Sequence, residues 1–235
     1  MNNKIKRLLI IPARGNSKRI KNKNIKLFFS RPIIYYILDN AKKSKLFTKI
    51  HVSTDSKRIA KVVKKKVSID FYRPKILSTS KTPVIKVIQF VLKEYEKLQI
   101  NFDEIWCILP CSPLINVVDL KNISKKLLKI KKPLITISRF PCPVEWALDM
   151  KGSKLIPMNK KKLLINSQYF SHKYYDTGQI FAAPLRQFKK IKDNNIINAS
   201  HGYIMPPQKS VDIDDMIDWK FAETLYKGTK SINYE

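Results

Sequence analysis

Short, unbroken apolar runs alternate along the chain with longer segments whose apolar residues recur at helical spacing, and no other feature constrains the fold as tightly. RLLIIPA (7–13) is too short for a helix and reads as a strand buried on both faces. RPIIYYILDNAKKSK (31–45) has Ile33, Tyr36, Ile37 and Ala41 on one helical face and Pro32 at the first helical position. The pattern then repeats: strand 49–55, helix 56–65 with Ser56 as its cap, strand 67–74, helix 83–98, strand 104–110, helix 117–130, strand 133–140. Such alternation predicts the α/β class, a Rossmann-like, mostly parallel sheet flanked by helices on both sides. In that architecture the loops at 12–24, 53–56, 72–82 and 109–114 meet at the carboxyl ends of the strands, where ligands bind.

From 140 to 176 the alternation stops. Pro141, Pro143 and Pro157 interrupt the segment, and EWALDMKGSKLIPM reads as two short strands joined at Gly152. We read one domain over 1–235 with 140–176 inserted as a lid or a subunit contact, then strands at 178–184 and 202–207 and a terminal helix at 216–227. No stretch is long enough to cross a membrane. Cys107, Cys111 and Cys142 are odd in number and lack metal-type spacing, so they read as buried free thiols in a reducing cytoplasm.

The chain carries 47 Lys+Arg against 18 Asp+Glu, a net charge of +29, which admits a basic nucleic-acid-binding protein as one reading. The lysines are spread along the whole chain and the aromatics lie scattered in apolar runs, which favours a solvated Lys-rich surface. The loop after the first strand differs, because it gathers Arg14, Ser17, Lys18, Arg19 and Lys23 within ten residues, a donor set suited to phosphate. Gly15 and Asn16 suit a turn with positive φ. The spacing is neither that of a Walker A loop nor Gly-x-Gly-x-x-Gly. At the other end, VDIDD (211–215) places Asp212 and Asp214 at alternate positions, able to reach one Mg²⁺ while Val211 and Ile213 pack behind. The competing role is a helix cap by Asp214 or Asp215. His51 reads as a packed residue, His172 and His201 have no partner nearby in sequence, and Cys111 has no evident base.

IPARGNSKRIKNKN (11–24) resembles the N-terminal signature of the CMP-sugar acid synthetases, the acylneuraminate cytidylyltransferase family. VSTDS (52–56), YRPKILS (72–78), LPCSPL (109–114) and SVDIDDMIDW (210–219) are similar to further family elements in the same order, with departures at Asn16, Lys21, Leu109 and Cys111. The resemblance implies a nucleotidyltransferase-type fold and CMP transfer from CTP to a keto-sugar acid, with Mg²⁺ at Asp212 and Asp214. It implies that Arg14, Lys18 and Lys23 act on the phosphates, while Gly15, Asn16, Ser17, Asn24, Asp55, Arg73 and Ser80 hold the nucleotide. It also implies that Pro110, Ser112, Gln168, Asp176 and Gln179 bind the sugar, leaving Arg19 and Lys21 to the basic surface. SRFPCPVEWAL and INSQYFSHKYYDTGQIF most resemble the branch that activates pseudaminic acid for surface glycan or flagellin glycosylation, with legionaminic and sialic acids as alternatives. Family members are usually dimers joined through the inserted region, so a cytoplasmic homodimer with no nucleic-acid or membrane partner is expected.

Overall fold

The computed structural model describes residues 5–191 and 196–231, so the extreme ends of the expected 1–235 domain lie outside the described residues. Along the chain run β1 (Arg7–Pro12), the two-residue strands β2 (Leu27–Phe28) and β3 (Arg31–Pro32), α1 (Ile34–Ser44), β4 (Lys49–Ser53), α2 (Lys57–Val63) and α3 (Val84–Lys97). β5 (Glu104–Ile108), α4 (Val117–Ile130) and β6 (Leu134–Arg139) follow, then the hairpin β7 (Leu148–Lys151) and β8 (Lys154–Pro157) and the short α5 (Lys160–Leu163). β9 (Tyr174–Pro184), α6 (Leu185–Phe188), α7 (Ile196–Ala199), β10 (His201–Ile204) and α8 (Met216–Ser231) complete the described chain.

Six strands form one sheet in the order β10-β6-β9-β5-β1-β4. All pairings are parallel except those of β9, which runs antiparallel to both β5 and β6. Successive side chains of a strand point to opposite faces, and β1 divides accordingly. Leu9 and Ile11 join a cluster with Ile34, Ile37, Leu120 and Ile123 from α1 and α4. Leu8 and Ile10 join one with Ile85, Ile88 and Val91 from α3. Helices therefore cover both faces, as the alternation predicts. A third cluster, with Ile20, Phe28, Leu114, Val211, Ile213 and Trp219, lies where the basic loop meets α8. Among the described residues no helix is long and apolar enough to cross a membrane.

Several expectations need correction. The segment 67–74 forms no strand. Val67 and Ile69 pack against one core cluster and Phe71 against the other, while Asp70 turns to Lys49 at 2.6 Å, so side-chain contacts replace a ladder on the β4 edge. Pro32 pairs with Leu27 in a short ladder, and α1 begins two residues later. β9 starts at Tyr174, so the last residues assigned to the insertion belong to the main sheet. Cys107 and Cys111 are buried, but Cys142 is exposed.

His51 is fully buried under Phe71, with ring centroids 4.4 Å apart, and its Nδ1 lies 3.2 Å from the Tyr95 hydroxyl. That hydroxyl donates to Asp70 at 2.7 Å, so Nδ1–H is the donor toward Tyr95 and Nε2 is left as a buried atom without a partner among the described residues. Burial outweighs the attraction of Asp70 and pushes the imidazole from 6.5 down to about 4. Within that window the unfolded chain holds a proton that the folded chain does not, so stability falls as pH drops from 6.5 toward 4. The slope contributed is at most ~1.4 kcal/mol per pH unit. For Asp70, burial opposes ionisation, but hydrogen bonds from Lys49, Tyr95 and Ser68 win and hold its pKa below 3.8, so its contribution is lost only at more acid pH. Urea denaturation across this range should show a flatter pH slope for His51→Gln than for wild type; equal slopes would contradict the assignment.

Candidate active site

The loops beyond the carboxyl ends of β1 and β5 enclose a cavity of ≈ 500 Å³ with the 77–82 loop and the segment before α8. Arg14, Ser17, Lys18, Arg19 and Lys23 line one wall. The loop is held in place by side chains that bind its main chain. The Gly15 N–H donates to Asp55 Oδ1 at 2.8 Å, and a Cβ on Gly15 would lie 2.8 Å from Ser56 Cβ. Gly15 is thus required by close approach; the left-handed residue in the loop is Asn22, φ 55°, which caps the turn at Lys23–Ile25. Ser56 in turn caps α2 by accepting from the Ile59 N–H. The buried Asn24 donates from Nδ2 to the Arg14 carbonyl at 2.9 Å and accepts at Oδ1 from the Cys111 thiol at 3.6 Å. One amide therefore ties the basic loop to the 109–114 loop. Burial pushes the Cys111 thiol up to about 12, which keeps it protonated and unsuited to act as a nucleophile.

Asp212 and Asp214 line the cavity and Ile213 is buried behind them, but Val211, although buried, lines the cavity as well, so the alternation read from the sequence holds at Ile213 and not at Val211. The cap falls to Asp215, whose Oδ1 accepts from the N–H groups of Ile217 and Asp218 at 2.8 and 3.0 Å. Of the two residues read as possible caps, Asp215 takes that role, and the carboxylates of Asp212 and Asp214 stay on the cavity. Lys23 Nζ donates to the Ile213 carbonyl at 2.6 Å and lies 3.5 Å from Asp214, and Arg19 pairs with Asp214 at 2.7 Å. Arg19 is thus part of the cavity rather than of the general basic surface. The Asp212 carboxyl is open to the cavity yet hemmed in by protein; desolvation first, then Asp214, raises its pKa above the ordinary carboxylate value.

Arg73 lies in the cavity wall, 6 % exposed, with Nε and Nη2 buried and without partners among the described residues. Burial lowers its pKa and the attraction of Asp55 opposes the shift, yet guanidinium remains charged at neutral pH. Ser112 Oγ and Gln179 Oε1 are likewise buried, unpartnered and in the lining residues. Unpaired buried polar atoms cost about 1–3 kcal/mol each, and their convergence on one cavity marks it as built for a polar ligand.

Asn24, Ser80 and Pro110 also line the cavity, as expected. Gly15, Asn16 and Asp55 lie outside its lining, with Asp55 acting through Gly15. The structure does not bring Gln168 or Asp176 into it. Gln168 sits on an exposed turn, and Asp176 Oδ1 accepts from the Gly178 N–H at 2.8 Å, where Gly178 has φ 65°. The sequence reading missed Leu77, Thr79 and Thr82, which flank Ser80, and Val84 and Val87 at the start of α3. The valines share helical spacing with core residues, so only the fold reveals that this end of α3 faces the cavity.

The residues fit a divalent cation whose shell is completed by ligand. Two carboxylates stand at alternate positions, the charge of Asp214 adding to the rise in the pKa of Asp212, and among the described residues no group of three or more His, Cys, Asp or Glu could hold a metal ion by itself.

A profile of the Cytidylyltransferase family matches residues 8–173. The chain is 30% identical to the pseudaminic acid cytidylyltransferase of Campylobacter jejuni strain 81-176, covering 98% of this chain and 99% of that one. It is 27% identical to the CMP-N,N'-diacetyllegionaminic acid synthase of Legionella pneumophila, with 93% and 95% covered. In fold it is similar to a CMP-2-keto-3-deoxy-manno-octonic acid synthetase solved with CTP, at a TM-score of 0.66 and 11% identity over 95% of this chain and 99% of that one.

Asn24→Ala removes the donor to the Arg14 carbonyl and the acceptor for Cys111. Loss of about 1–3 kcal/mol of stability is expected in chemical denaturation; a variant as stable as wild type would show that the amide does not hold the loops together.

Proposed function

The chain belongs to the cytidylyltransferase family, and from that premise we propose that it transfers CMP from CTP to the anomeric hydroxyl of a nonulosonic acid, pseudaminic acid, releasing pyrophosphate. The product would serve surface glycan or flagellin glycosylation. One observation carries the reading: the basic loop, the buried Arg73 with two unpartnered nitrogens, and Asp212 and Asp214 converge on a single cavity. Cytosine presents a carbonyl oxygen and a ring nitrogen, both acceptors, to Arg73 Nε and Nη2. Arg14, Ser17, Lys18 and Lys23 meet the phosphates, and Lys23 keeps donors to spare beyond its bond to Ile213. The exposed Arg19–Asp214 pair is worth ~0.2–1 kcal/mol, less than the ~1.5–3 kcal/mol of a hydrogen bond to a charged group. A triphosphate therefore draws Arg19 away and releases Asp214.

Asp212 and Asp214 would hold Mg²⁺. When bound, the cation supplies Lewis-acid polarisation of phosphate oxygens. The anomeric oxygen bonds to the α-phosphorus as the bond to the bridging oxygen breaks, and the electron pair leaves with pyrophosphate. Lys18 and Arg14 stand on the wall where that charge develops and neutralise it. The protonated state of Cys111 favours direct transfer over a covalent enzyme intermediate. The name of the C. jejuni relative, with the Phe-Pro-x-Pro, Ser-Gln and Gly-Gln matches, supports pseudaminic acid. A concave cavity with carboxylates facing the cations does not suit a nucleic-acid backbone, so the basic loop gives no support to that reading.

The hairpin β7–β8 exposes Leu148, Met150, Leu155 and Ile156 and buries none of its residues. A two-stranded hairpin is marginal alone, which supports a homodimer in which a second copy covers it. The buried, unpaired Cys107 and Cys111 fit the cytoplasm. A single-copy mass in sedimentation would remove the dimer.

With CTP, Mg²⁺ and a panel of nonulosonic acids, pyrophosphate should appear fastest with pseudaminic acid. Failure to release pyrophosphate with any of the acids would sink the enzyme reading, and faster release with legionaminic or sialic acid would reassign the substrate. Arg73→Ala should raise the KM for CTP about 10- to 100-fold. Asp212→Asn should lower kcat by at least a similar factor with the unfolding midpoint unchanged; full activity would remove the metal assignment.

A further inference from the structure

We propose that Gln179 is a positioning residue that couples occupancy of the sugar-acid side of the cavity to the placement of Asp212, an inference that rests on the function proposed above. Gln179 is 3 % exposed, and its side-chain amide is committed on one side only. Nε2 donates to the Lys209 carbonyl at 2.9 Å and to the Val211 carbonyl at 3.4 Å. Two carbonyls on one NH₂ group fix the amide's orientation, so Oε1 is the atom left buried without a partner among the described residues. Because Asp212 follows directly after a clamped carbonyl, any shift of the 209–211 segment is carried to its carboxylate.

The surroundings make this clamp stiff. The Gln179 main-chain carbonyl accepts from the Leu109 N–H at 2.9 Å, so the same residue also anchors the 109–114 loop. On the far side of the segment, Lys209 Nζ reaches both oxygens of Asp119 at 2.9 Å, and Asp119 is the reciprocal partner of Asn116 in the capping box of α4. The carboxylate segment is thus hung between β9 and the start of α4. A nonulosonic acid carries hydroxyl and acylamino donors, and one of them satisfies Oε1. The bound acid then fixes the amide that fixes Asp212, so sugar and cation reinforce each other through one side chain.

Two variants separate the halves of the amide. Gln179→Glu keeps an acceptor but removes the donor to the two carbonyls; Gln179→Met keeps the volume and removes both. Mn²⁺ binding in the presence of CTP and without sugar acid, followed by electron paramagnetic resonance, should weaken about five- to tenfold in both variants. In steady-state pyrophosphate release, the KM for the sugar acid should rise about tenfold in Gln179→Met and stay within about threefold of wild type in Gln179→Glu. The KM for CTP should move less than twofold in either, with unfolding midpoints showing that both variants fold. Unchanged Mn²⁺ binding in both variants overturns the clamp, and an unchanged sugar-acid KM in Gln179→Met overturns the acceptor. Equal rises in the KM of CTP and of the acid reduce Gln179 to general support of the cavity, which also overturns the proposal. If wild type itself binds no Mn²⁺ with CTP and releases no pyrophosphate, the functional reading fails and takes this inference with it. Variants indistinguishable from an active wild type refute the inference alone.

Discussion

Cations gathered around one cavity repel one another, and the protein holds them there through contacts to the loop's main chain and through the carboxylates of Asp55 and Asp214. Arg14, Lys18, Arg19, Lys23 and Arg73 all line the same space. The basic loop is kept closed by the Asn24 amide on the Arg14 carbonyl, by Asp55 on the Gly15 N–H, and by Lys23 reaching the Ile213 carbonyl 190 residues away. None of these contacts uses up the guanidinium of Arg14 or Arg73. Preorganisation of this kind places the cost of gathering charge in folding rather than in binding.

Much of the fold was legible because β1 and β5 are continuous apolar runs, buried along nearly their whole length and flanked by helical periodicity. What was not legible has physical causes. An apolar run carries no direction, so nothing in GQIFAAP announced that β9 runs antiparallel between β5 and β6. The segment 67–74 has strand-like composition, but Asp70 is bonded by Lys49 and Tyr95 and its apolar residues divide between two core clusters, contacts set by distant parts of the chain. In the site, charge-bearing positions could be read from spacing: Arg14, Lys18, Asp212 and Asp214 face one cavity. The unpartnered atoms of Arg73, Ser112 and Gln179 could not, because satisfaction of a hydrogen bond is a property of the folded neighbourhood.

The acidic cluster before α8 divides its carboxylates between the helix start and the cavity. A helix start needs an acceptor for its free N–H groups, and a cation needs carboxylates without such commitments. Asp215 accepts from Ile217 and Asp218, while Asp218 accepts from the N–H groups of Asp214 and Asp215. The carboxylates of Asp212 and Asp214 are thereby kept out of the cap, with Asp214 paired to Arg19 instead, and the cap that terminates the loop also fixes the backbone that presents them.

The same logic bears on the net charge of +29. At physiological ionic strength the screening length is about 8 Å, so exposed lysines such as Lys160, Lys161 and Lys162, which lie in the inserted segment and outside the cavity lining, contribute little to the field inside it. The field that a ligand meets is set locally, by five cations against Asp212 and Asp214. That balance attracts an anion of several charges yet leaves a place for a divalent cation beside it. A uniformly basic patch has no such second feature. The character of the cavity therefore follows from where the few carboxylates stand, and not from how many lysines surround them.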